Sequence, residues 1–317
     1  MLAQDLARCL ADGAAHSGAA LAARFGVTRA AVWKHVEELR SAGLPVAAAA
    51  GQGYRLARPF EPLDAARIRA ELAPGWRARL AGLQVAWELD STSSALLRAG
   101  AAGAAAPAVC LAERQSGGRG RRGRQWQSPL GNVYFSLLWR FDAGMAALSG
   151  LSLAVGVAVV QALGDVGASG LGLKWPNDVL RDGAKLAGVL VELGGEFLGP
   201  CHAVIGIGIN LVAPPVPDQP VTALAAQGLQ PSRNVLVARL VERLGAVLER
   251  FASGGFAAVH ADYAALDLLR DRALRVSDAR GQREGVGAGV DARGALLVRE
   301  GADLVRYDSA EVTVRAA

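Results

Sequence analysis

Glu113-Arg114-Gln115-Ser116-Gly117-Gly118-Arg119-Gly120-Arg121-Arg122-Gly123-Arg124-Gln125-Trp126 is the stretch on which the fold turns. Gly118, Gly120 and Gly123 satisfy the G-x-G-x-x-G spacing of a dinucleotide-binding turn. Such a turn works only when a helix follows at once, so that a pyrophosphate can rest on the helix amino terminus. Here Gln127-Ser128-Pro129-Leu130-Gly131 follows, which is loop sequence, and a Rossmann domain is excluded. No G-x-x-x-x-G-K-[ST] segment occurs, which excludes a P-loop. What remains is a glycine- and arginine-rich loop between two predicted strands, Ala108–Glu113 and Val133–Trp139. Glycines let a backbone approach a ligand closely, and arginines present planar forks of donors to phosphate or carboxylate. A single short run between strands suits a clamp for an anionic nucleotide intermediate. A nonspecific RNA-binding run is the alternative chemistry for such a composition.

Outward from the loop, strands and helices alternate with hairpins. Gln84–Leu89 reads as a strand ending in the polar turn Asp90-Ser91-Thr92-Ser93, and Leu63–Leu72 as a helix. Ser149–Leu163 reads as a buried helix, and Leu186–Leu193 and Ala203–Leu211 as apolar strands. Asp182-Gly183 is a hairpin turn between Val179-Leu180 and Lys185. Val235–Ser253 and Phe256–Leu266 return to helix. The pattern predicts an α+β domain on a mixed sheet over residues 62–268. Beyond it, residues 270–317 hold short strands at Ala273–Ser277, Arg283–Val290, Ala295–Glu300, Asp303–Tyr307 and Glu311–Arg315, separated by tight turns such as Ala279-Arg280-Gly281. That is the pattern of a small β-barrel or sandwich.

The first 58 residues form a different unit. Ser17 to Phe25 reads as a short helix with Ser17 as N-cap, and Gly26 supplies the left-handed residue at its end. Thr28 caps a longer helix, Arg29 to Ala42, whose apolar stripe is Val32, Val36 and Leu39. Two short helices joined by a tight glycine turn are a helix-turn-helix. Val46–Ala50 and Tyr54-Arg55-Leu56 flank the turn Gly51-Gln52-Gly53 and make the unit winged. Arg29, Trp33 and Lys34 stand at the start of the second helix, where base and phosphate contacts are made. A helical hairpin with no DNA role is the plainer reading of the same residues. Pro59 and Pro62 mark a linker.

Composition agrees with a globular chain of two or three domains. There are 317 residues, 52% of them hydrophobic and 20% charged, too many for one ordinary core. The most apolar stretch, Leu148 to Leu163, is broken by Ser149, Gly150, Ser152, Gly156 and Gln161 and falls short of the roughly 18–20 apolar residues of a membrane span. The start, MLAQDLARCL, carries Asp5 and no long apolar core, so no signal peptide is expected. Cys9, Cys110 and Cys201 are far apart, which argues against disulfides or a zinc site and for buried thiols in a reducing cytoplasm. The net charge of +5 suits a phosphate-bearing partner.

Four motifs, in this order and spacing, carry a family resemblance: Gln115–Trp126, Lys174-Trp175-Pro176-Asn177-Asp178, Lys185-Leu186-Ala187-Gly188-Val189-Leu190-Val191-Glu192, and Ile205-Gly206-Ile207-Gly208-Ile209-Asn210. With them the chain resembles the bifunctional biotin–protein ligase and biotin operon repressor family along essentially its whole length. The resemblance implies a winged helix-turn-helix, a central catalytic domain like the class II synthetases, and a carboxy-terminal SH3-like β-barrel. It implies ATP and Mg²⁺ as cofactors and biotin as substrate. Biotinoyl-5′-AMP would form first, and a lysine of the biotin carboxyl carrier protein of acetyl-CoA carboxylase would then take the biotin. Operator DNA and a ligand-induced homodimer follow from the same resemblance, with no membrane.

Site roles follow residue by residue from the resemblance. Lys185 would lie beside the biotin carboxylate and the α-phosphate, although an exposed turn lysine after Asp182-Gly183 fits the sequence too. Arg119 and Arg121, with Gly120 between them, match loop residues that hold the activated intermediate. Gln115, Ser91, Thr92 and Ser93 match the polar groups around biotin's ring system, with Ser93 where the family usually has asparagine. Gly206 and Gly208 let a strand pass close to biotin. Trp126 packs either the adenine or the core. Asn177, Asp178 and Asn210 serve the nucleotide, and Asp178 is either a magnesium ligand or a turn residue. Thr28, Arg29, Trp33, Lys34 and the wing around Gln52–Arg55 would contact the operator. A lipoate–protein ligase and a ligand-sensing regulator without ligase activity are the alternatives. On this reading, removing residues 1–58 should abolish operator binding while leaving biotin transfer largely intact.

Overall fold

The computed structural model describes residues 2–49, 51–214, 220–278, 281–308 and 313–316. At the amino terminus come α1 (Leu2–Leu10), α2 (Gly18–Phe25), α3 (Arg29–Ser41), β1 (Val46–Ala49) and β2 (Gly53–Leu56). The helix ends lie where their chemistry sets them. The Ser17 hydroxyl accepts from Ala20 N at 3.0 Å and the Thr28 hydroxyl from Ala31 N at 3.2 Å, while Gly26 closes α2 at φ 65°. Val32, Val36 and Leu39 are buried, and Arg29, Trp33 and Lys34 are exposed. β1 and β2 pair antiparallel as the wing, and His16 bridges to Tyr54. α1 was not anticipated, although its Ala3, Leu6, Ala7 and Leu10 follow helical spacing and are buried.

The central region holds α4 (Ala65–Glu71), α5 (Pro74–Arg79), β3 (Gly82–Leu89), α6 (Thr92–Ala101), β4 (Ala108–Gln115), β5 (Val133–Phe141) and α7 (Leu151–Asp165). It continues with β6 (Leu171–Lys174), β7 (Asp178–Arg181), β8 (Ala184–Gly195), β9 (Cys201–Ile209), α8 (Arg233–Gly254) and α9 (His260–Ala264). Its seven strands form one mixed sheet in the order β3-β4-β5-β9-β8-β7-β6, with β3 and β4 parallel and every other pair antiparallel. β5 and β9 are buried on both faces and accordingly read as nearly continuous apolar runs. Phe135, Leu137, Ile205 and Ile207 share a core with α7 and α8. On the opposite face Cys110, Leu138 and Val204 pack with Leu96 of α6. Asp182 and Gly183, at φ 50° and 76°, make the tight β7–β8 turn. One expectation fails here. Ser91-Thr92-Ser93 is not a turn after β3: Ser91 is the N-cap of α6, and Thr92 and Ser93 are its first turn.

The three cysteines are all buried and unpaired, and burial pushes the Cys110 thiol up to about 11. No helix among the described residues is long and apolar enough to cross a membrane.

At the carboxy terminus β10 (Ala273–Asp278), β11 (Gly281–Val290), β12 (Leu296–Glu300), β13 (Asp303–Tyr307) and β14 (Thr313–Ala316) form one antiparallel sheet in the order β13-β12-β11-β10-β14. Pairings among the described residues leave β13 and β14 as its two edges, so the expected SH3-like closure is not part of this pairing. Glu311 and the Ala279-Arg280 turn lie outside the described residues.

The winged helix is bound to the central region by more than its linker. Leu130, just past the basic loop, is buried in the winged-helix core with Leu44, Val46 and Phe60. Its N–H donates to Ala42 O at 2.8 Å, and Arg58 donates to Gly43 O at 3.0 Å. Gly43 has φ 90°, and a Cβ there would stand 2.8 Å from Pro129 Cβ, so only glycine fits both the turn and the contact. Removing residues 1–58 would uncover Leu130.

Behind the sheet, Arg233 at the start of α8 meets Glu113 near the end of β4, Nη2 to Oε2 2.8 Å, with both side chains 4% exposed. Breaking a buried ion pair leaves an uncompensated charge. Arg233→Leu should therefore destabilise the chain by about 3–5 kcal/mol. The double variant Glu113→Leu/Arg233→Leu should lose distinctly less. Urea denaturation of both variants checks this, and equal losses would refute it.

Candidate active site

Every pocket residue named from the sequence lines one cavity of about 880 Å³ on the α6 side of the sheet. Its floor is where β8 and β9 run side by side with Gly188 opposite Gly208 and Leu190 opposite Gly206. A Cβ on Gly208 would stand 2.4 Å from the Trp126 ring, and one on Gly206 would stand 2.5 Å from Ser93 Oγ. The floor is glycine because side chains from the loop and from α6 lie directly on the backbone.

One end of the cavity is neutral and hydrogen-bonded. Gln115 Oε1 accepts from Thr92 N at 2.9 Å and from Thr92 Oγ1 at 3.1 Å. Thr92 Oγ1 and Ser93 Oγ each lie within 2.9 Å of Ser136 Oγ, at 2.8 and 2.9 Å. Ser91, Thr92, Ser93 and Ser136 are buried, and no formal charge sits among these four and Gln115. Ser136 was missed in the sequence. Its signal was a hydroxyl in an otherwise apolar strand, on the face opposite Phe135 and Leu137 by strand alternation.

The other end is charged. Lys185 lies on β8, past the hairpin turn, with its side chain 14% exposed and its Nζ 2.7 Å from Asp178 Oδ1. Its backbone is held by Pro220 O and Thr222 N, so it is no free turn lysine. The ammonium also stands 5.3 Å from the centre of the Trp126 ring. Asn177 donates to Val189 O at 2.8 Å and accepts from Arg121 at 3.4 Å. Burial pulls the Arg121 guanidinium below the usual arginine range; the charges of Arg122 and Arg124 add to this, and Asp178 opposes it. A partly buried cation is well placed to receive an anion. Asn210 is buried, and its amide donates to Lys185 O at 3.4 Å.

The loop folds over this end as a small hairpin. Gly120 N donates to Arg124 O at 2.7 Å, and Arg119 bridges to Gln125. Trp126 is half-buried inside the cavity, not in the core, and its indole N–H is buried without a hydrogen-bond partner among the described residues. Arg119 stands at the rim, 2.7 Å from Glu192. No group of three or more His, Cys, Asp or Glu among the described residues could hold a metal ion. Thr28, Arg29, Trp33 and Lys34 lie apart from the cavity, at the start of α3.

Residues 88–210 match the Biotin/lipoate A/B protein ligase family, and residues 3–55 match an HTH domain. The bifunctional ligase/repressor BirA of Salmonella typhimurium (strain LT2) is 39% identical over 319 residues, covering 97% of this chain and 96% of the relative. The chain belongs to the biotin/lipoate A/B protein ligase family. Within it, the bifunctional ligase/repressor BirA of Escherichia coli (strain K12) is 38% identical over 314 residues, 97% of this chain and 95% of the relative. The biotin protein ligase from Aquifex aeolicus in complex with biotin and ATP superposes with a TM-score of 0.65 at 27% identity, over 74% of this chain and 99% of that one. That similarity covers the fold that builds this family's mixed sheet.

The glycine floor is open to direct test. Gly208→Ala places a methyl against the Trp126 indole. The ring must lift, at a cost of about 1–3 kcal/mol for overpacking. Trypsin should then cut the loop after Arg121, Arg122 and Arg124 faster than in the parent chain, with the far-ultraviolet circular dichroism unchanged. An unchanged cleavage rate would mean that the indole does not rest on this glycine.

Proposed function

We propose that the chain is an ATP-dependent biotin–protein ligase that also acts as a biotin-responsive transcriptional repressor. The observation that carries the ligase reading is the division of one cavity into a neutral hydrogen-bonding end and a cationic end over a glycine floor. Ser91, Thr92, Ser93 and Gln115, with Ser136 buried behind them and bonded to Thr92 and Ser93, suit an uncharged ureido ring, which needs donors and acceptors and no counter-ion. Lys185, Arg121, Arg122 and Arg124 suit a carboxylate meeting a triphosphate. The thioether side of biotin and its alkyl chain would cross the bare backbone of Gly206 and Gly208.

In the first step a biotin carboxylate oxygen bonds to the α-phosphorus of ATP, and the bond to the leaving pyrophosphate oxygen breaks. The gain comes from positioning and from cations at the oxygens where charge builds. Lys185 meets that charge as a compact cation, released from Asp178 in proportion as the phosphate competes for it. Asn177 and Asn210 orient the nucleotide, and Trp126 offers its ring to the adenine and its free N–H to an acceptor. Mg²⁺ fits as an ion held chiefly by the phosphates and its own waters, because among the described residues Asp178 is the one carboxylate lining the cavity. In the second step a lysine amine of a biotin carboxyl carrier protein attacks the acyl carbon, and AMP leaves with the electron pair of the anhydride bond.

The repressor half rests on residues 1–58, with the ligase over 62–268 and a third unit over 270–317. Arg29, Trp33, Lys34 and the wing residues Gln52–Arg55 would meet an operator, with Thr28 fixing the helix start. One winged helix covers a modest surface, so two copies on a two-fold site, brought together by the bound adenylate, would give tight binding.

Lys185→Ala should slow pyrophosphate release with biotin, ATP and magnesium by roughly 10²–10³-fold, the scale for losing one such stabilising group. Near-parental release would remove Lys185 from the chemistry. In the parent chain, release with lipoate and not biotin would favour the lipoate ligase, and release with neither would leave a regulator only.

Biotin with ATP should raise both the dimer fraction and the operator affinity, read by gel shift and sedimentation on the same samples. Removing residues 1–58 should abolish operator binding and, because Leu130 loses its cover, also weaken retention of the adenylate. Operator affinity indifferent to biotin and ATP would overturn the regulatory half.

A further inference from the structure

We propose that Glu192 is a positioning residue that latches the glycine–arginine loop over the cavity, with Arg119 as the moving half of the latch and not a clamp on the ligand. This rests on the ligase reading for its consequence but not for its geometry. Gly188, Leu190 and Glu192 alternate along β8 and stand opposite Gly208, Gly206 and Val204 of β9, so Glu192 continues the row that floors the cavity. It lies one step beyond the last residue of that row to line the cavity, Leu190. From the loop, Arg119 reaches across to it, Nη2 to Oε2 2.7 Å, over 73 residues of sequence. Arg119 is also the rung where the loop hairpin closes, through its bridge to Gln125. Holding Arg119 therefore holds the whole turn that carries Arg121, Arg122 and Arg124. The pair is at the rim, with Arg119 40% and Glu192 24% exposed.

The exposure sets the strength. An ion pair this accessible shifts an equilibrium by no more than about five-fold. A gate that must open for nucleotide to enter, and again for a carrier lysine to reach the acyl group, needs a bond of this weak order. A fully buried pair would keep the loop shut.

The two roles for Arg119 predict opposite signs. If Arg119 grips the intermediate, Glu192 competes for it, and Glu192→Gln should reduce escape of biotinoyl-AMP. If the pair is a latch, the same substitution should increase escape about two- to five-fold while pyrophosphate formation stays at the parental rate. Escape is read as biotin on serum albumin, detected with streptavidin. The ligand-free full chain supplies a second readout: trypsin cleavage after Arg121, Arg122 and Arg124, followed by mass spectrometry. Cleavage should be about two- to five-fold faster in Glu192→Gln, should accelerate with salt in the parent through screening, and should lose that salt sensitivity in the variant. The exchanged pair Arg119→Glu/Glu192→Arg should regain protection at the same three sites. Unchanged cleavage in Glu192→Gln, or reduced escape of the adenylate, overturns the latch. If the parent chain releases no pyrophosphate with biotin, the ligase reading fails, while the cleavage experiment still judges the latch.

Discussion

The contact between Glu113 and Arg233 ties together the segments that shape the cavity. Glu113 sits near the end of β4, two residues before Gln115, and its other oxygen accepts from Leu63 N at 2.7 Å in the linker. Arg233 donates to Asn132 O, where the chain returns from the basic loop into β5, and to Glu61 O. Asn132 in turn accepts from Leu211 and Val212 N, just after β9. Two buried charges thus set where the loop leaves the sheet, where it re-enters, and where the chain exits β9. Burying such a pair costs about as much as the attraction returns, so its contribution is to geometry more than to stability.

Given that frame, the site is built by subtraction. Strands β8 and β9 turn Gly188, Gly206 and Gly208 toward the cavity, where the indole of Trp126 and the hydroxyl of Ser93 rest on bare backbone. Polarity is then sorted by element. The amino-terminal turn of α6 contributes uncharged groups, and the β6–β8 strands with the loop contribute the cations and, among the described residues, one cavity-lining carboxylate, Asp178. A molecule with a neutral ring at one end and an acid at the other matches this division.

The same loop has a second attachment. Two residues, Gln127 and Ser128, separate Trp126, inside the cavity, from Pro129, which lies against Gly43, and the next residue, Leu130, is buried under the end of α3. Tyr134 donates to Pro129 O at 2.7 Å and stiffens this short span. A shift of the indole on the floor therefore bears on the carboxy-terminal turn of the helix that carries Arg29, Trp33 and Lys34. The cavity and the winged helix are thus joined by a short packed span of chain as well as by the Pro59–Pro62 segment.

Local chemistry made much of this legible from the sequence. Caps at Ser17 and Thr28, the left-handed Gly26, the Asp182-Gly183 turn, the stripe of α3 and the apolar runs of β5 and β9 each depend on residues within one or two turns of each other. The residues lining the cavity were legible through their motifs. What was missed had a common cause. α6 begins with Thr92-Ser93, poor helix formers, and is held by Leu96 packing on Cys110, Leu138 and Val204 from three different strands. Ser136 is polar for the sake of α6, and Glu192 for the sake of a loop 73 residues away. Leu130 lies in the loop as read, but its burial was not legible, because the core it joins belongs to another part of the chain. Sequence by itself determined most of the elements, the ends that carry a cap or a tight turn, and the chemical inventory of the site, because those are set by near neighbours along the chain. Tertiary structure alone decided which polar group faces which, because strand register and helix packing bring together residues that carry no trace of each other in the sequence.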